Sequence, residues 1–434
     1  MSTENNKMMK RDLEVIWHPC TQMKDHETFP LVPIKSGEGV YLFDFDGNSY
    51  IDAISSWWVN IFGHCNKEIS NNIKQQLDTL EHVLLAGFTH EPAISLAHKL
   101  VNIVPEGLNK VFYVDNGSSA VEVTLKMSYH YHLNKGECKP IFLSLTNSYH
   151  GETIGALSVG DVSLYKETYE QLLIRNMQTP VPKDQTKESA KEALEALEEI
   201  LKEKAKEISA FIVEPMVQGA GGMHMYHADY LVGARALTRK YNVHLIADEI
   251  MTGFGRTGEM FACNHADISP DYMTLSKGLT GGFLSLSVVL TTDRIYEAFY
   301  CDYNEHKAFL HSHSYTGNPL ACSAALATLE IFEKNNVIVE NYKKSEMIAS
   351  KIKKFELLQN VKSVRQQGMI AVVELSGYKT EERIGLKVYQ YGLEHGVLLR
   401  PLGNMIYFMP PYIITEDEMT TMIDVAYDAV KSLI

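Results

Sequence analysis

Residues 245–282 read LIADEIMTGFGRTGEMFACNHADISPDYMTLSKGLTGG. The stretch begins inside a short apolar run, VHLIA (243–247), with the length and composition of a buried strand, and that run delivers an acidic pair, Asp248 and Glu249. A second run, YMTLS (272–276), delivers Lys277 into a glycine-rich turn. Two adjacent strands then end in a carboxyl group and an amine.

Outward from this stretch, the same grammar repeats. Toward the N-terminus, KVFYVDNGSSAVEVTLK (110–126) reads as strand, polar turn and helix. The backbone N–H groups at Asn116–Ser119 could hold a phosphate or could be a plain helix cap. PIFLSL (140–145) is a further strand, and Tyr149 follows it, as a ring to stack on a flat ligand or as a loop aromatic. AFIVEP (210–215) is another strand; the QGAGG after it lacks the Lys-Ser/Thr ending of a P-loop. SLSVVLTT (285–292) adds one more. Between them, residues 187–207 place Ala190, Leu194, Leu197 and Leu201 on one helical stripe. Alternating strands and helices predict a large α/β domain over 65–334 with a mostly parallel sheet.

The flanks differ. Residues 1–16 are polar and read as partly ordered at best, and the hairpin signal GVYLFDFDGNSYIDAISSWW ends in Trp57-Trp58, a core or interface anchor or one wall of a pocket. Beyond 335, helices alternate with short strands (VKSVRQQ, MIAVVEL, NMIYFMPPY). We expect a smaller α+β domain over 335–434, packed with the N-terminal segment and hairpin of 1–64.

At 434 residues and a formal net charge of −14, the chain is expected to bind neither nucleic acid nor an anionic membrane, both of which need basic patches. Six scattered cysteines without a CxxC pair, no apolar signal core and no long apolar run lead us to expect a cytoplasmic protein.

GFGRTG (253–258) formally fits a dinucleotide-binding motif, but it comes late in the α/β unit and opens no helix. Its interest is Arg256, which between glycines is expected to be lightly packed and free to meet a carboxylate. Arg400, among leucines and prolines in LLRPLG, is expected to be buried and so to need an anion. His130/His132 and His311/His313 form HxH pairs, but without a third ligand nearby we expect no metal. A phosphate turn, a tyrosine, an acid, a lysine and two arginines together fit a pyridoxal phosphate (PLP) enzyme. The lysine would hold the cofactor as a Schiff base, and the acid would keep its ring nitrogen protonated.

With these residues assembled, the chain resembles the class III, fold-type I PLP-dependent aminotransferases over nearly its whole length. The motifs that carry the resemblance are WHPCTQM, SSWW, DNGSSAVEV, YHGET, EPMVQGAGGM, IADEIMTGFGRTG, LSKGLTGG and RPLGNMIYFMPPYI. SSWW and RPLG…MPPYI point to a biotin-pathway member. The resemblance implies a seven-stranded, mostly parallel sheet in the large domain and a homodimer with shared active sites. Lys277 would carry the cofactor and move the proton, with Asp248 on the ring nitrogen and Tyr149 over the ring. Gly117 and Ser118 would hold the phosphate, with Ser314, beside His313, reaching the partner's. Trp57, Trp58, Ser312 and Arg400 would line the substrate site, with Arg256 near the donor carboxylate. Cys20 stands where the family has a tyrosine that contacts the acceptor. HSHSYTGN (311–318) is also similar to relatives that use lysine rather than S-adenosylmethionine as donor. An ω-amino acid aminotransferase and a non-catalytic PLP-fold dimer are the remaining alternatives.

Overall fold

The computed structural model describes residues 3–434. An N-terminal sheet is built from Ile34–Glu38 (β1), Tyr41–Asp44 (β2) and Ser49–Asp52 (β3). The central sheet takes Lys110–Val114 (β4), Ile141–Leu145 (β5), Asn176–Thr179 (β6) and Ile208–Val213 (β7). A small hairpin, Val217–Gln218 (β8) with His224–Met225 (β9), follows. His244–Asp248 (β10), Tyr272–Leu275 (β11) and Ser287–Thr291 (β12) complete the central sheet, in the order β4-β12-β11-β10-β7-β5-β6. Of these seven strands only β12 runs antiparallel to its neighbours, β11 and β4. The remaining pairs are parallel, and strands such as β7 and β10 are buried along their whole length, as helices on both faces require.

C-terminally, Val361–Gln367 (β13), Ile370–Leu375 (β14) and Met405–Phe408 (β16) form a three-stranded antiparallel sheet. The two-residue strand Val397–Leu398 (β15) leaves that sheet and pairs in parallel with β3. The N-terminal hairpin is therefore tied to the C-terminal part of the chain by backbone hydrogen bonds.

The first residues depart from expectation. Glu4–Leu13 is a helix, capped by Thr3 and pinned to the hairpin turn. The Glu4 amide donates to Asp46 Oδ1 (2.9 Å), Asn5 Nδ2 donates to Asp44 Oδ2 (2.9 Å), and the Phe45 amide donates to Asn5 Oδ1 (3.0 Å). Composition marks such a segment as polar; only the distant acceptors at 44–46 order it.

Among the described residues no helix is long and apolar enough to cross a membrane. Three of the four histidines of the HxH pairs have other partners. His130 packs on Phe299 (5.1 Å), His132 faces Glu137 (2.9 Å), and His311 stacks on Phe309 (5.8 Å).

Candidate active site

The parallel strands deliver side chains from their carboxyl ends, where an open α/β sheet binds ligands. β10 ends at Asp248, β7 is followed by Glu214, β11 by Lys277, β5 by Tyr149 and His150, and β4 by the Asn116–Gly117 turn. They enclose a cavity of about 210 Å³, lined also by Trp58 and Ser118.

Asp248 is nearly buried, and His150 Nδ1 lies 2.7 Å from its Oδ2. Its Oδ1 accepts from the Ile250 amide (3.2 Å) and Thr274 Oγ1 (3.3 Å). The far ring nitrogen of His150 is buried without a partner. Glu214 is also buried and staples two loops together. Its Oε1 accepts from the Tyr149 amide (2.9 Å) and its Oε2 from the Gly219 amide (2.8 Å). Burial pushes the Glu214 carboxyl up to about 7, against the favourable charge of His150 and with the unfavourable one of Asp248.

Lys277 follows β11 with a left-handed backbone (φ 45°). Its amine has no hydrogen-bond partner and lies 4.5 Å from the centre of the Trp58 ring. Desolvation lowers its pKa to about 8; Asp248 and Glu214 oppose that shift and Arg256 reinforces it.

The helix Gly117–Asn134 points its N-terminus into the cavity. Asn116 caps it by accepting from the Ser119 amide (3.0 Å), which leaves the Gly117 and Ser118 amides without acceptors. Gly151 (φ 125°) lies so close that a Cβ there would stand 2.0 Å from Ser118 Oγ. Two free amides on the dipole of a long helix form an anion cradle. Tyr149 donates its hydroxyl to Glu152 Oε1 (3.0 Å) and packs edge-on against Tyr165 (5.5 Å). A cofactor with a phosphate, a ring nitrogen and an aldehyde therefore finds matching groups: the cradle, Asp248 and the unpartnered Lys277 amine.

Trp57 and Trp58 come from an unusual segment. Ser55, Ser56, Trp57 and Trp58 all have left-handed φ (50°, 46°, 76° and 73°), a conformation costing L-residues roughly 1–2 kcal/mol each. Trp58 is buried and donates Nε1–H to the Tyr407 hydroxyl (3.0 Å). Trp57 is 41% exposed and lies under the Arg400 guanidinium, 4.7 Å from ring centre to carbon.

Both arginines differ from expectation. Arg400 is half-buried, not buried, because Trp57 covers one face of its guanidinium; among the described residues no anion pairs with it. Arg256 is not lightly packed but 1% exposed. The flanking Gly255 and Gly258 (φ 90° and 104°) fold the turn against the C-terminal part of the chain. Arg256 donates there to the Pro410 (3.0 Å), Met409 (3.4 Å) and Trp58 (3.4 Å) carbonyls, over the Tyr412 ring. It does not line the cavity. Cys20, Ser312 and Ser314 are exposed and lie outside it, and His313 outside it too, with its Nε2 buried and unpartnered. Cys20 lies near Tyr165, which packs against Tyr149.

His150 and Glu214 are the residues that the sequence reading missed. Both lie inside quoted motifs, YHGET and EPMVQ. Their signal was a titratable residue within a few positions of a buried strand's carboxyl end.

The family model described as "Aminotransferase class-III" matches residues 21–430. The chain is 53% identical over 420 residues to the adenosylmethionine-8-amino-7-oxononanoate aminotransferase of Helicobacter pylori, covering 94% of each. The crystal structure of the enzyme of that name from Methanocaldococcus jannaschii superposes with a TM-score of 0.95 at 40% identity and covers 99% of both chains. The omega transaminase from Pseudomonas jessenii, solved in complex with PMP, reaches a TM-score of 0.92 at 29% identity over 98% of both chains.

Proposed function

The chain belongs to the class-III aminotransferases, which are PLP-dependent, and from that premise we propose that it transfers an amino group from S-adenosylmethionine to 8-amino-7-oxononanoate, giving the 7,8-diaminononanoate of the biotin pathway. The observation that carries the choice of substrate is the 53% identity over 94% of the chain, against 29% for the omega transaminase.

When bound, PLP supplies the electron sink and the carbonyl carbon that carries the amino group. Gly117 and Ser118 would hold its phosphate, Asp248 its ring nitrogen and Lys277 its aldehyde carbon. Tyr149 would cover the ring. Lys277 Nζ, with its pKa lowered to about 8, can take a proton from the substrate carbon and return it near neutral pH. His150 and Glu214 would orient Asp248 and the Tyr149 loop from behind.

One of the two arginines would meet substrate. Arg400 has no anionic partner, and Trp57 fixes the plane of its guanidinium. It suits the carboxylate of the acceptor ketone, with Trp58 as the apolar wall. Arg256 is a buried cation that meets carbonyls and the Tyr412 ring. Buried and off the cavity, it would serve the site by holding Trp58 and the 409–410 segment in place rather than by meeting the donor carboxylate. Cys20, beside Tyr165, would leave more room for the acceptor than a tyrosine. The exposure of Ser312 and Ser314 supports a homodimer in which this segment, with His313, completes the partner's phosphate site. We read the working protein as a cytoplasmic homodimer, each subunit having a large domain (65–334) and a small one (335–434 with 1–64).

A coupled assay tests this reading. Turnover of 8-amino-7-oxononanoate with S-adenosylmethionine is expected. Turnover only with lysine would reassign the donor, and robust turnover of ω-amino acids with 2-oxoglutarate but none of 8-amino-7-oxononanoate would overturn the reading.

A further inference from the structure

The left-handed turn Ser55–Trp58 contains neither glycine nor asparagine, the residues that enter this conformation at least cost. It persists only if its surroundings hold it. One side chain does most of that holding. Asp52, at the end of β3, is fully buried. Its Oδ1 accepts from the Ser56 amide (2.9 Å) and the Ile54 amide (3.3 Å). Its Oδ2 accepts from Ser56 Oγ (2.6 Å) and faces His64 Nε2 (3.0 Å). Asn60 Nδ2 in turn lies 3.0 Å from His64 Nδ1, so His64 keeps its proton on Nε2, toward Asp52. Both hydrogen-bonding groups of Ser56 thus end on one carboxyl. At the other edge of the turn, Ser55 Oγ donates to the Met409 carbonyl (2.8 Å).

We propose that Asp52, backed by His64, is a positioning residue that keeps Ser55–Trp58 left-handed and thereby sets Trp57 under Arg400 and Trp58 against Lys277. Asp52 lines no part of the cavity and touches no reacting atom. It acts through Ser56. The consequence for substrate binding rests on the aminotransferase reading; the consequence for the two tryptophans does not. If the turn relaxed, Trp57 would leave the Arg400 face, and the guanidinium would lose the plane that presents it to a carboxylate. A displacement of about 1 Å at such a group can cost about a hundredfold in rate.

The test uses Asp52→Ala, Ser56→Ala and the double variant Asp52→Ala/Ser56→Gly, each as full-length protein in a Trp17→Phe background so that only Trp57 and Trp58 report. Near-ultraviolet circular dichroism of the apoprotein reads the tryptophan environment without substrate. Steady-state kinetics of the loaded enzyme read KM for the acceptor ketone against kcat. Asp52→Ala should change the tryptophan spectrum and raise that KM about tenfold or more, with a smaller loss of kcat. Ser56→Ala, which loses only the hydroxyl bond, should give a smaller change of the same kind. Ser56→Gly should recover most of both losses in the Asp52→Ala chain, because glycine takes the left-handed conformation unaided. An unchanged spectrum in Asp52→Ala, or no recovery in the double variant, overturns the proposal. Should Asp52→Ala not fold, Ser56→Ala decides alone: no change in spectrum or KM overturns the proposal. If the parent enzyme turns over no 8-amino-7-oxononanoate, the functional reading fails, and the spectrum still decides the positioning role.

Discussion

β10 carries two buried polar residues, His244 at its start and Asp248 at its end; the first sits in a packed cluster and the second on a cavity. At the amino end of the sheet the polar groups serve one another. His244 Nδ1 lies 2.8 Å from Ser128 Oγ, which reaches Ser209 Oγ (2.9 Å). Asp271, just before β11, accepts from Arg235 Nη1 (2.6 Å), Arg294 Nη2 (2.9 Å) and the Leu245 amide (2.9 Å). At the carboxyl end they are left open. Among the described residues the Lys277 amine, the Gly117 and Ser118 amides and His150 Nε2 have no hydrogen-bond partner, and the Arg400 guanidinium meets only the Trp57 ring. At the amino end His244 Nε2, Arg235 Nε and the Tyr272 hydroxyl are also buried without partners among the described residues, so it is the cavity at the carboxyl end, and not unpaired groups alone, that marks where a ligand binds. The amino-end cluster lines no part of that cavity, and its ion pairs and hydrogen bonds hold the sheet together.

Variants at the two ends should therefore separate activity from stability. The largest effect is expected for Lys277→Ala, which should lower kcat by about a thousandfold or more, since the cofactor anchor and the proton carrier are lost together. Its apoprotein should melt no lower than the parent, because a desolvated amine is removed. A large drop in melting temperature would break the contrast. Arg235→Ala should do the reverse. It leaves buried Asp271 with the half-exposed Arg294 as its one paired cation, which should cost roughly 3–5 kcal/mol in denaturant unfolding while kcat of the folded enzyme holds. Arg400→Ala is expected to raise KM for the acceptor ketone about ten- to a hundredfold, the loss of a bidentate charged pair, with unfolding unchanged.

The pH responses sharpen the contrast with the smallest effects. Lys277 has its pKa lowered from 10.5 to about 8, so its neutral, nucleophilic form grows as pH rises through 8. Covalent loading of apoprotein with PLP should accelerate with a midpoint near 8 rather than 10.5, followed by absorbance. His244 is held neutral by burial, with a pKa lowered from 6.5 to about 3. The unfolded chain binds a proton there across that window and the folded chain does not. Its contribution to stability is therefore complete above 6.5 and is lost as pH falls toward 3. His244→Gln should flatten the acid side of the stability profile and leave the loading profile alone.

Much of the active end is legible in the sequence because it is local. Asp248 and Lys277 follow short buried runs, and a parallel sheet puts such run ends together. Asn116-Gly117-Ser118 precedes a helix, so the anion cradle is written in consecutive residues. The misread features depend on distant partners. Arg256 between glycines looks free until the carbonyls at 409 and 410 come across from the C-terminal sheet. The first helix needs Asp44 and Asp46. Nothing in SSWW signals four left-handed residues, because Asp52 and Met409 hold that conformation through contacts that no local propensity encodes.

Lys277, at the open end of the sheet, is the group proposed to carry the amino transfer to one specific ketone. The most direct measurement is a single-turnover experiment: the enzyme is loaded with PLP, treated with S-adenosylmethionine, freed of donor, and given 8-amino-7-oxononanoate. Formation of about one equivalent of 7,8-diaminononanoate per site, absent in Lys277→Ala, is the expected result. Amino transfer to 2-oxoglutarate but not to 8-amino-7-oxononanoate, or equal product from Lys277→Ala, would contradict it.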